Sequence, residues 1–125
     1  MKQHRHALRG HAAFGRVFAS GRRIDGVLVQ CVVLLQPASE PELRVGYAVS
    51  SKAYTAVMRN RLRRLMREAV VKQREPLWGS LKRKSMSASI VFSFKSHTQV
   101  DVHRLRIHVV ATDVGGICKQ LLAML

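Results

Sequence analysis

Hydrophobic residues recur at helical spacing in the middle of the chain, between Val57 and Ala69. At about 100° per residue, one helix face collects the apolar side chains Met58, Leu62, Leu65, Met66 and Ala69. The opposite face collects Asn60, Arg63, Arg64 and Arg67, and it is flanked by Arg59 and Arg61. The pattern predicts a helix that buries one stripe and presents guanidinium groups on the rest of its surface.

Shorter patterns predict the elements that precede this helix. Apolar spacing predicts a first helix over residues 6–19, stopped by Gly21. Two strands are predicted over residues 27–35 and 43–49, and the turn-rich segment between them is expected to close a hairpin. The first of these strands is almost wholly apolar, which is typical of a strand buried on both faces.

The central helix has predicted boundaries of its own. Thr55 is the expected N-cap, and Pro76 is expected to end the helix. Residues 78–80 are then interpreted as a turn and residues 81–87 as a basic loop. An alternating strand follows over residues 89–94.

A final helix is predicted within residues 100–125, where Gly115 and Gly116 stand at a position that can break or kink it. The element order is therefore α-β-β-α-β-α, without an internal repeat. This order indicates an α+β sandwich in which helices pack on one mixed sheet. The length suits a single domain over residues 1–125.

The net charge of the chain indicates the kind of partner that it binds. The chain has 22 Lys and Arg against seven Asp and Glu, a formal net charge of +15. Such a charge draws the protein to polyanions, with an affinity that falls as salt rises. The hydrophobic share of 47% is too high for a disordered basic tail, although residues 1–7 are expected to be a flexible basic arm. The helix and the charge together predict a folded nucleic-acid-binding domain.

Catalysis and metal binding find little support in the same residues. The seven acids are dispersed, so no carboxylate pair is expected to hold metal ions. The histidines lack nearby acidic residues that would complete a metal site with them. They are His4, His6, His11, His97, His103 and His108. Cys31 and Cys118 lie in separate apolar stretches and are interpreted as buried thiols. We predict no catalytic residue, no metal ligand and no cofactor in the chain itself.

The compartment predicted from these features is the cytoplasm. Residues 1–15 lack the apolar core of a signal peptide, and the longest apolar run, over residues 27–35, is too short to cross a bilayer. No membrane partner is expected.

Two adjoining segments carry a resemblance to a known family. The strand and loop read Arg44-Val-Gly-Tyr-Ala-Val-Ser-Ser-Lys52, and the helix reads Ala56-Val-Met-Arg-Asn-Arg-Leu-Arg-Arg-Leu-Met-Arg-Glu-Ala69. Phe14-Gly-Arg-Val-Phe18 and Ile90-Val-Phe-Ser-Phe94 fit the same order on either side. Over roughly residues 8 to 122 the chain resembles the protein subunit of bacterial ribonuclease P. The hallmark of that family is Gly-x-x-Val-Ser, a lysine-containing loop and a helix beginning Ala-Val-x-Arg-Asn-Arg.

The resemblance implies an RNA-based enzyme. Its RNA subunit removes the 5′ leader of precursor transfer RNA by magnesium-dependent hydrolysis, and its protein subunit binds the catalytic RNA and the leader. Mg²⁺ is then held by the RNA subunit and the substrate, and no protein partner is required. The resemblance also implies a left-handed βαβ crossover at the arginine helix, against the usual right-handed rule.

Candidate site residues follow from the charge pattern and the resemblance together. The set expected to bind the catalytic RNA is Lys52, Arg59, Asn60, Arg61, Arg63, Arg64 and Arg67. The set expected to bind the leader is Phe14, Phe18, Gln30 and Val32, since aromatic rings can stack on unpaired bases. The chain departs from the family pattern in its loop, at Ser51, Tyr54 and Thr55, and at Val32, where an aromatic residue is often seen.

Three other classes of protein share part of this pattern. A ribosomal or other structural RNA-binding protein shares the charge, size and fold class, and only the Arg-Asn-Arg context argues against it. A DNA-binding regulator would need a partner helix at helix-turn-helix spacing or dimerising heptads. A basic helix at a membrane surface would expose bulky apolar residues, which here are more easily used as core.

Overall fold

The computed structural model describes residues 5–96 and 100–125. Its strands are β1 (Arg5–Ala7), β2 (Arg22–Asp25), β3 (Val29–Pro37), β4 (Leu43–Ala48) and β5 (Met86–Phe94). Its helices are α1 (His11–Ser20), α2 (Ala56–Val71), α3 (Arg74–Lys84) and α4 (Ile107–Met124). They confirm the predicted α+β fold with a mixed sheet.

The sheet has the order β1-β4-β5-β3-β2, with β5 in the centre. β5 runs antiparallel to β3, pairing Phe92 with Cys31, and parallel to β4, pairing Ile90 with Val45. The predicted hairpin between β3 and β4 is therefore wrong, because β5 separates the two strands. β5 suits this position because its apolar side chains point both ways, with Ile90 and Phe92 buried on one face and Val91 on the other.

Helices cover the two faces of the sheet unequally. α2, α3 and α4 enclose the main core on one face, where Leu62, Leu77 and Ile117 are almost completely buried. α1 lies on the other face, over a small cluster that includes Val17 and Val91. The fold thus offers two separate surfaces to a partner, the outer side of α2 and the face beside α1.

The connection from β4 to β5 passes through α2 and α3, and the two strands are parallel neighbours. This is the βαβ crossover that the resemblance implies, and its left-handedness stays a prediction. α2 packs against β4 and α4. Its remaining side is consequently turned away from the core.

The segment after α2 corrects the sequence prediction. α2 ends at Val71, and Pro76 lies in the first turn of α3 instead of ending α2. Proline is tolerated there because the first amides of a helix have no intrahelical partner. Trp78 and Leu81, placed in a turn and a basic loop by the sequence pattern, are buried on this helix.

α4 runs through Gly115 and Gly116 without a break, so the predicted interruption is wrong. Val114, Ile117 and Cys118 are buried on both sides of the glycine pair, and this packing holds the helix there. Within residues 5–96 and 100–125, α4 is also the one helix long and apolar enough to suit a membrane span, a property that core helices of globular domains share.

Both edge strands differ from the prediction. β1 pairs with β4 from Arg5 to Ala7, so the end of the expected arm belongs to the sheet, and residues 1–4 lie outside the described part. β2 pairs with β3 and buries only Ile24, a pattern too short to predict a strand. α1 accordingly begins at His11, while its predicted end before Gly21 is confirmed.

Candidate nucleic-acid interface

α2 buries the stripe that its sequence predicts. Leu62, Leu65, Met66 and Ala69 are buried, and Met58 is half-buried. The helix begins after Thr55, whose Oγ1 accepts a hydrogen bond from the Met58 amide at 3.3 Å, as expected of the N-cap. This anchoring fixes which side of α2 faces outward.

The outward side, here named the helix surface, consists of Asn60, Arg63, Arg64 and Arg67. Arg63 is half-buried and the other three are exposed. Arg63 Nη1 lies 3.5 Å from Asn60 Oδ1, a distance at which a hydrogen bond is weak. Where the structure describes the chain, no salt bridge neutralises an arginine of this surface. Its guanidinium groups can therefore face phosphate oxygens, whose geometry they match in pairs of hydrogen bonds.

Two arginines of the predicted set turn back into the fold. Arg59 Nη1 donates to the Tyr54 carbonyl at 2.8 Å. Arg61 donates from Nε to the Val102 carbonyl at 2.9 Å and from Nη2 to the Leu105 carbonyl at 2.8 Å. The position of Arg61 on the helix flank was predictable, but its carbonyl partners lie 41 and 44 residues away in sequence. Arg61 thus ties α2 to the segment before α4, and its RNA contact stays a prediction.

Lys52 lies in the exposed turn that leads into α2. The amides of Lys52 and Ala53 both donate to Ser50 Oγ at 3.2 Å, which shapes the turn. Tyr54 is buried instead, and its hydroxyl donates to the Lys95 carbonyl at 2.7 Å. This departure from the family loop therefore serves the core, whereas Lys52 remains available to a partner.

The aromatic pair predicted to meet the leader lies on α1. Phe18 is 50% exposed, Phe14 is half-buried, and their ring centroids are 6.5 Å apart. Phe14 reaches over Gly46 of β4, where a Cβ would stand only 2.6 Å from Phe14 Cζ. Both rings, with His11, line an open cavity of about 430 Å³. Phe18 is the ring better placed for stacking, and Phe14 also serves packing.

The other two predicted leader residues lie on β3, on the same face of the sheet. Val32 is half-buried beneath α1, and Gln30 Oε1 accepts a hydrogen bond from Arg23 Nη2 at 2.6 Å. Sequence reasoning missed Arg23, which is exposed and lies opposite Val32 in the sheet. The alternation around Ile24 in β2 points to Arg23, but this pattern is too short to predict a strand from the sequence. We name Phe14, Phe18, Arg23, Gln30 and Val32 the sheet surface.

The described residues do not gather the side chains of a metal site. No three His, Cys, Asp or Glu side chains among them stand together where they could hold a metal ion, and His4 and His97 lie outside this part of the chain. Burial raises the pKa of the Cys31 and Cys118 thiols from 9.0 to about 12. Both are therefore neutral at physiological pH and poor nucleophiles.

Comparison with known proteins identifies the class. The family model for ribonuclease P matches residues 1–111. The chain therefore belongs to the ribonuclease P protein family. A ribonuclease P protein component from Bacillus velezensis is 41% identical over 73 residues, 58% of this chain and 62% of the relative. One from Gluconacetobacter diazotrophicus is 38% identical over 81 residues, 63% of this chain and 69% of the relative. The match thus spans about three fifths of the Bacillus relative's length.

Solved structures agree on the fold. The ribonuclease P protein of Staphylococcus aureus superimposes with a TM-score of 0.68 at 16% identity, covering 96% of each chain. That of Thermotoga maritima gives a TM-score of 0.68 at 19% identity and covers 96% of this chain and 97% of its own. At such low identity these likenesses establish the architecture alone.

Proposed function

We propose that this chain is the protein subunit of ribonuclease P. In this role it binds the catalytic RNA and the 5′ leader of precursor transfer RNA, and it assists endonucleolytic removal of the leader to give the mature 5′ end. The observation that carries the proposal is the helix surface, a set of arginines on the crossover helix of a ribonuclease P fold that no salt bridge from another described residue neutralises.

The helix surface is proposed to bind the catalytic RNA. Arg64 and Arg67 are exposed near Asn60, and Lys52 extends the positive charge into the preceding turn. Folded RNA presents closely spaced phosphates, to which planar guanidinium groups can donate two hydrogen bonds each. Such contacts release counterions, so binding should weaken steeply with salt.

The sheet surface is proposed to bind the single-stranded leader. Phe18 offers an exposed ring for a base. Arg23, which is exposed and pairs with Asp25 at 3.0 Å and with Gln30, offers guanidinium donors for the backbone. This combination of ring and charge suits an unpaired strand without demanding a particular sequence. Mature transfer RNA has no leader and would not use this surface.

The cleavage chemistry is proposed to belong to the RNA. The chain's few acids are scattered and its net charge is +15, which opposes direct binding of Mg²⁺. Mg²⁺ would be held by the RNA subunit and the substrate, with no cofactor on the protein and no protein partner required. The proposed compartment is the cytoplasm, with no membrane partner.

Reconstitution tests the function. The chain is mixed with bacterial ribonuclease P RNA at low magnesium, and 5′ cleavage of a precursor transfer RNA is followed with and without protein. We expect the protein to restore cleavage and, by itself, to leave the leader attached. A structural RNA-binding protein would bind RNA without stimulating cleavage, which would favour the ribosomal alternative. RNA-free protein that cleaved correctly would overturn the proposed division of labour.

The leader surface is tested by Phe18→Ala. Loss of one stacked base costs roughly 1–3 kcal/mol, so precursor binding to the holoenzyme should weaken while mature transfer RNA binding stays nearly unchanged. Val27→Ala is the matched control, because Val27 is 78% exposed on the turn between β2 and β3. Equal losses for precursor and mature transfer RNA would show that Phe18 does not contact the leader.

A further inference from the structure

The helix surface and the sheet surface lie on opposite sides of the sheet, and they meet at one edge. β1 covers the edge of β4 only as far as Val45. Beyond Val45, Gly46 faces Phe14 on the α1 side. On the α2 side, the Arg67 guanidinium lies over the Tyr47 ring, with Arg67 Cζ 5.5 Å from the ring centroid. A cavity of about 570 Å³ opens at this place, and residues from both sides line it. We name it the edge crevice.

Positive charge converges on the edge crevice from three parts of the chain. Arg9 follows β1, Arg63 and Arg67 belong to α2, and Arg74 begins α3. No described residue that lines the crevice is acidic. The cluster is therefore not a by-product of the arginine run in α2, since Arg9 and Arg74 lie outside that run in sequence.

Two buried polar atoms at the crevice form no hydrogen bond of good geometry within the described part of the chain, although they belong to side chains that lie close to each other. They are the Tyr47 hydroxyl and Arg74 Nη1. The Tyr47 ring is fixed by stacking on Phe92, with centroids 6.2 Å apart. Burial raises the pKa of Tyr47 more than the Arg74 and Arg67 charges and the close approach of the Arg74 side chain lower it, so the hydroxyl keeps its proton. Buried donors normally find an acceptor, and these two lie where a ligand could supply one.

We propose that the edge crevice binds one backbone phosphate of RNA, at the place where RNA passes between the sheet surface and the helix surface. The inference rests on the proposed function and extends it to a junction between the two RNA surfaces. A phosphodiester fits because its oxygens accept several hydrogen bonds and carry the charge that Arg67 and Arg74 would neutralise. The phosphate belongs either to the leader or to the catalytic RNA, and the test separates these sources.

The test removes one negative charge at a time from the RNA. Single methylphosphonate groups are placed along the leader of a precursor and, by ligation, along the catalytic RNA. Two affinities are measured: that of the holoenzyme for each modified precursor, and that of the protein for each modified catalytic RNA. Each is compared between the wild type and the variants Arg74→Gln and Tyr47→Phe. Lys119→Gln is the matched control for Arg74→Gln, because Lys119 is exposed on α4 and its loss changes the net charge equally.

One methylphosphonate position should weaken binding by the wild type about tenfold, the value of one hydrogen bond to a charged group. At that position the methylphosphonate should weaken binding by the Arg74→Gln and Tyr47→Phe variants less than about twofold, because these variants already lack the contact. Lys119→Gln should lose as much as the wild type. The RNA that carries the sensitive position identifies the source of the phosphate.

The inference would be overturned if, at every position of both RNAs, the methylphosphonate weakened binding by both variants as much as it weakens binding by the wild type. Tyr47→Phe retains the ring that stacks on Phe92, so it keeps the test valid if Arg74→Gln fails to fold. Thermal unfolding of each free variant identifies such a failure. If wild-type protein does not stimulate cleavage at all, the proposed function fails first, and that result is distinct from equal losses for wild type and variants in an active holoenzyme.

Discussion

Arg61 shows how one residue of a cationic helix can act inside the fold. Its guanidinium group donates to two carbonyls, of Val102 and Leu105, in the segment that leads into α4. These bonds fix that segment to α2. Arg64, one turn along the helix, is exposed and makes no such bond in the part of the chain that is described. Two neighbouring arginines in one motif therefore carry different tasks.

Replacing these arginines separates the tasks. Arg61→Ala should lower the free energy of unfolding by roughly 1.5–3 kcal/mol, because hydrogen bonds from a charged donor are lost. Arg64→Ala should change stability by less than about 0.5 kcal/mol, as at other exposed sites. Urea unfolding followed by circular dichroism gives both values. Equal stability of the two variants would contradict the structural task of Arg61.

At the scale of elements, one carboxylate of α4 organises the turn between β2 and β3. The oxygens of Asp113 accept hydrogen bonds from the amides of Val27, Leu28 and Val29 at 2.7–2.8 Å. Gly26 permits this approach, since a Cβ there would stand 2.5 Å from Asp113 Oδ1. The C-terminal helix is thereby fixed to the edge of the sheet by polar contacts as well as by its apolar face.

Asp113→Ala should release this turn. Three amides would lose a charged acceptor, and a loss of at least about 1.5–3 kcal/mol in unfolding free energy is expected. Amide hydrogen exchange at Val27, Leu28 and Val29 should accelerate more than exchange in β5. Thr112→Ala is the control, because Thr112 is exposed and its hydroxyl donates a hydrogen bond within α4, to the His108 carbonyl. Unchanged exchange at the turn would refute the role of Asp113.

The elements also show what the sequence could predict. The α2 stripe, the Thr55 cap and the stop at Gly21 depend on local spacing, and all three are confirmed. α3 was missed because Pro76 and Gly79 resemble loop signals until the burial of Trp78 is known. The false hairpin has a similar cause: only the arrival of β5 from far along the chain decides which strands are neighbours.

The candidate site divides along the same line. The outward position of Arg64 and Arg67 followed from helical periodicity. The meeting of Arg9, Tyr47 and Arg74 could not follow from it, because three separate elements bring them together.

For the molecule as a whole, the distribution of charge matters more than its sum. The salt bridges among the described residues involve Asp25, Glu42 and Asp101, and none includes a residue of α2. Asp113 is occupied by backbone amides. These four acids thus act away from the helix surface. Glu68 lies on α2 itself but forms no salt bridge with a described residue, so much of the excess of +15 is left uncompensated where α2 faces outward.

Salt dependence measures how much of that charge meets phosphate. Each phosphate that the protein no longer neutralises should reduce the slope of log affinity against log salt by about 0.9, so Arg63→Ala combined with Arg67→Ala should flatten it by up to ~1.8. Arg83→Ala combined with Lys119→Ala removes the same charge from exposed positions on α3 and α4. Filter-binding titrations with the catalytic RNA compare the two double variants. A slope that α2 substitution leaves unchanged would show that these arginines do not contact phosphate.

The central position of β5 also dictates the order in which the protein can acquire its shape on the ribosome. β3 and β4 are synthesised before β5. Val29 cannot pair with Phe94, nor Leu43 with Ala88, until β5 has been synthesised. Pairing between segments so distant in sequence is slow, and the waiting strand edges can pair wrongly. The cationic helix therefore emerges before the five-stranded sheet that supports it is complete, and the late pairing of β5 with β3 and β4 converts α2 from an isolated basic segment into an oriented surface.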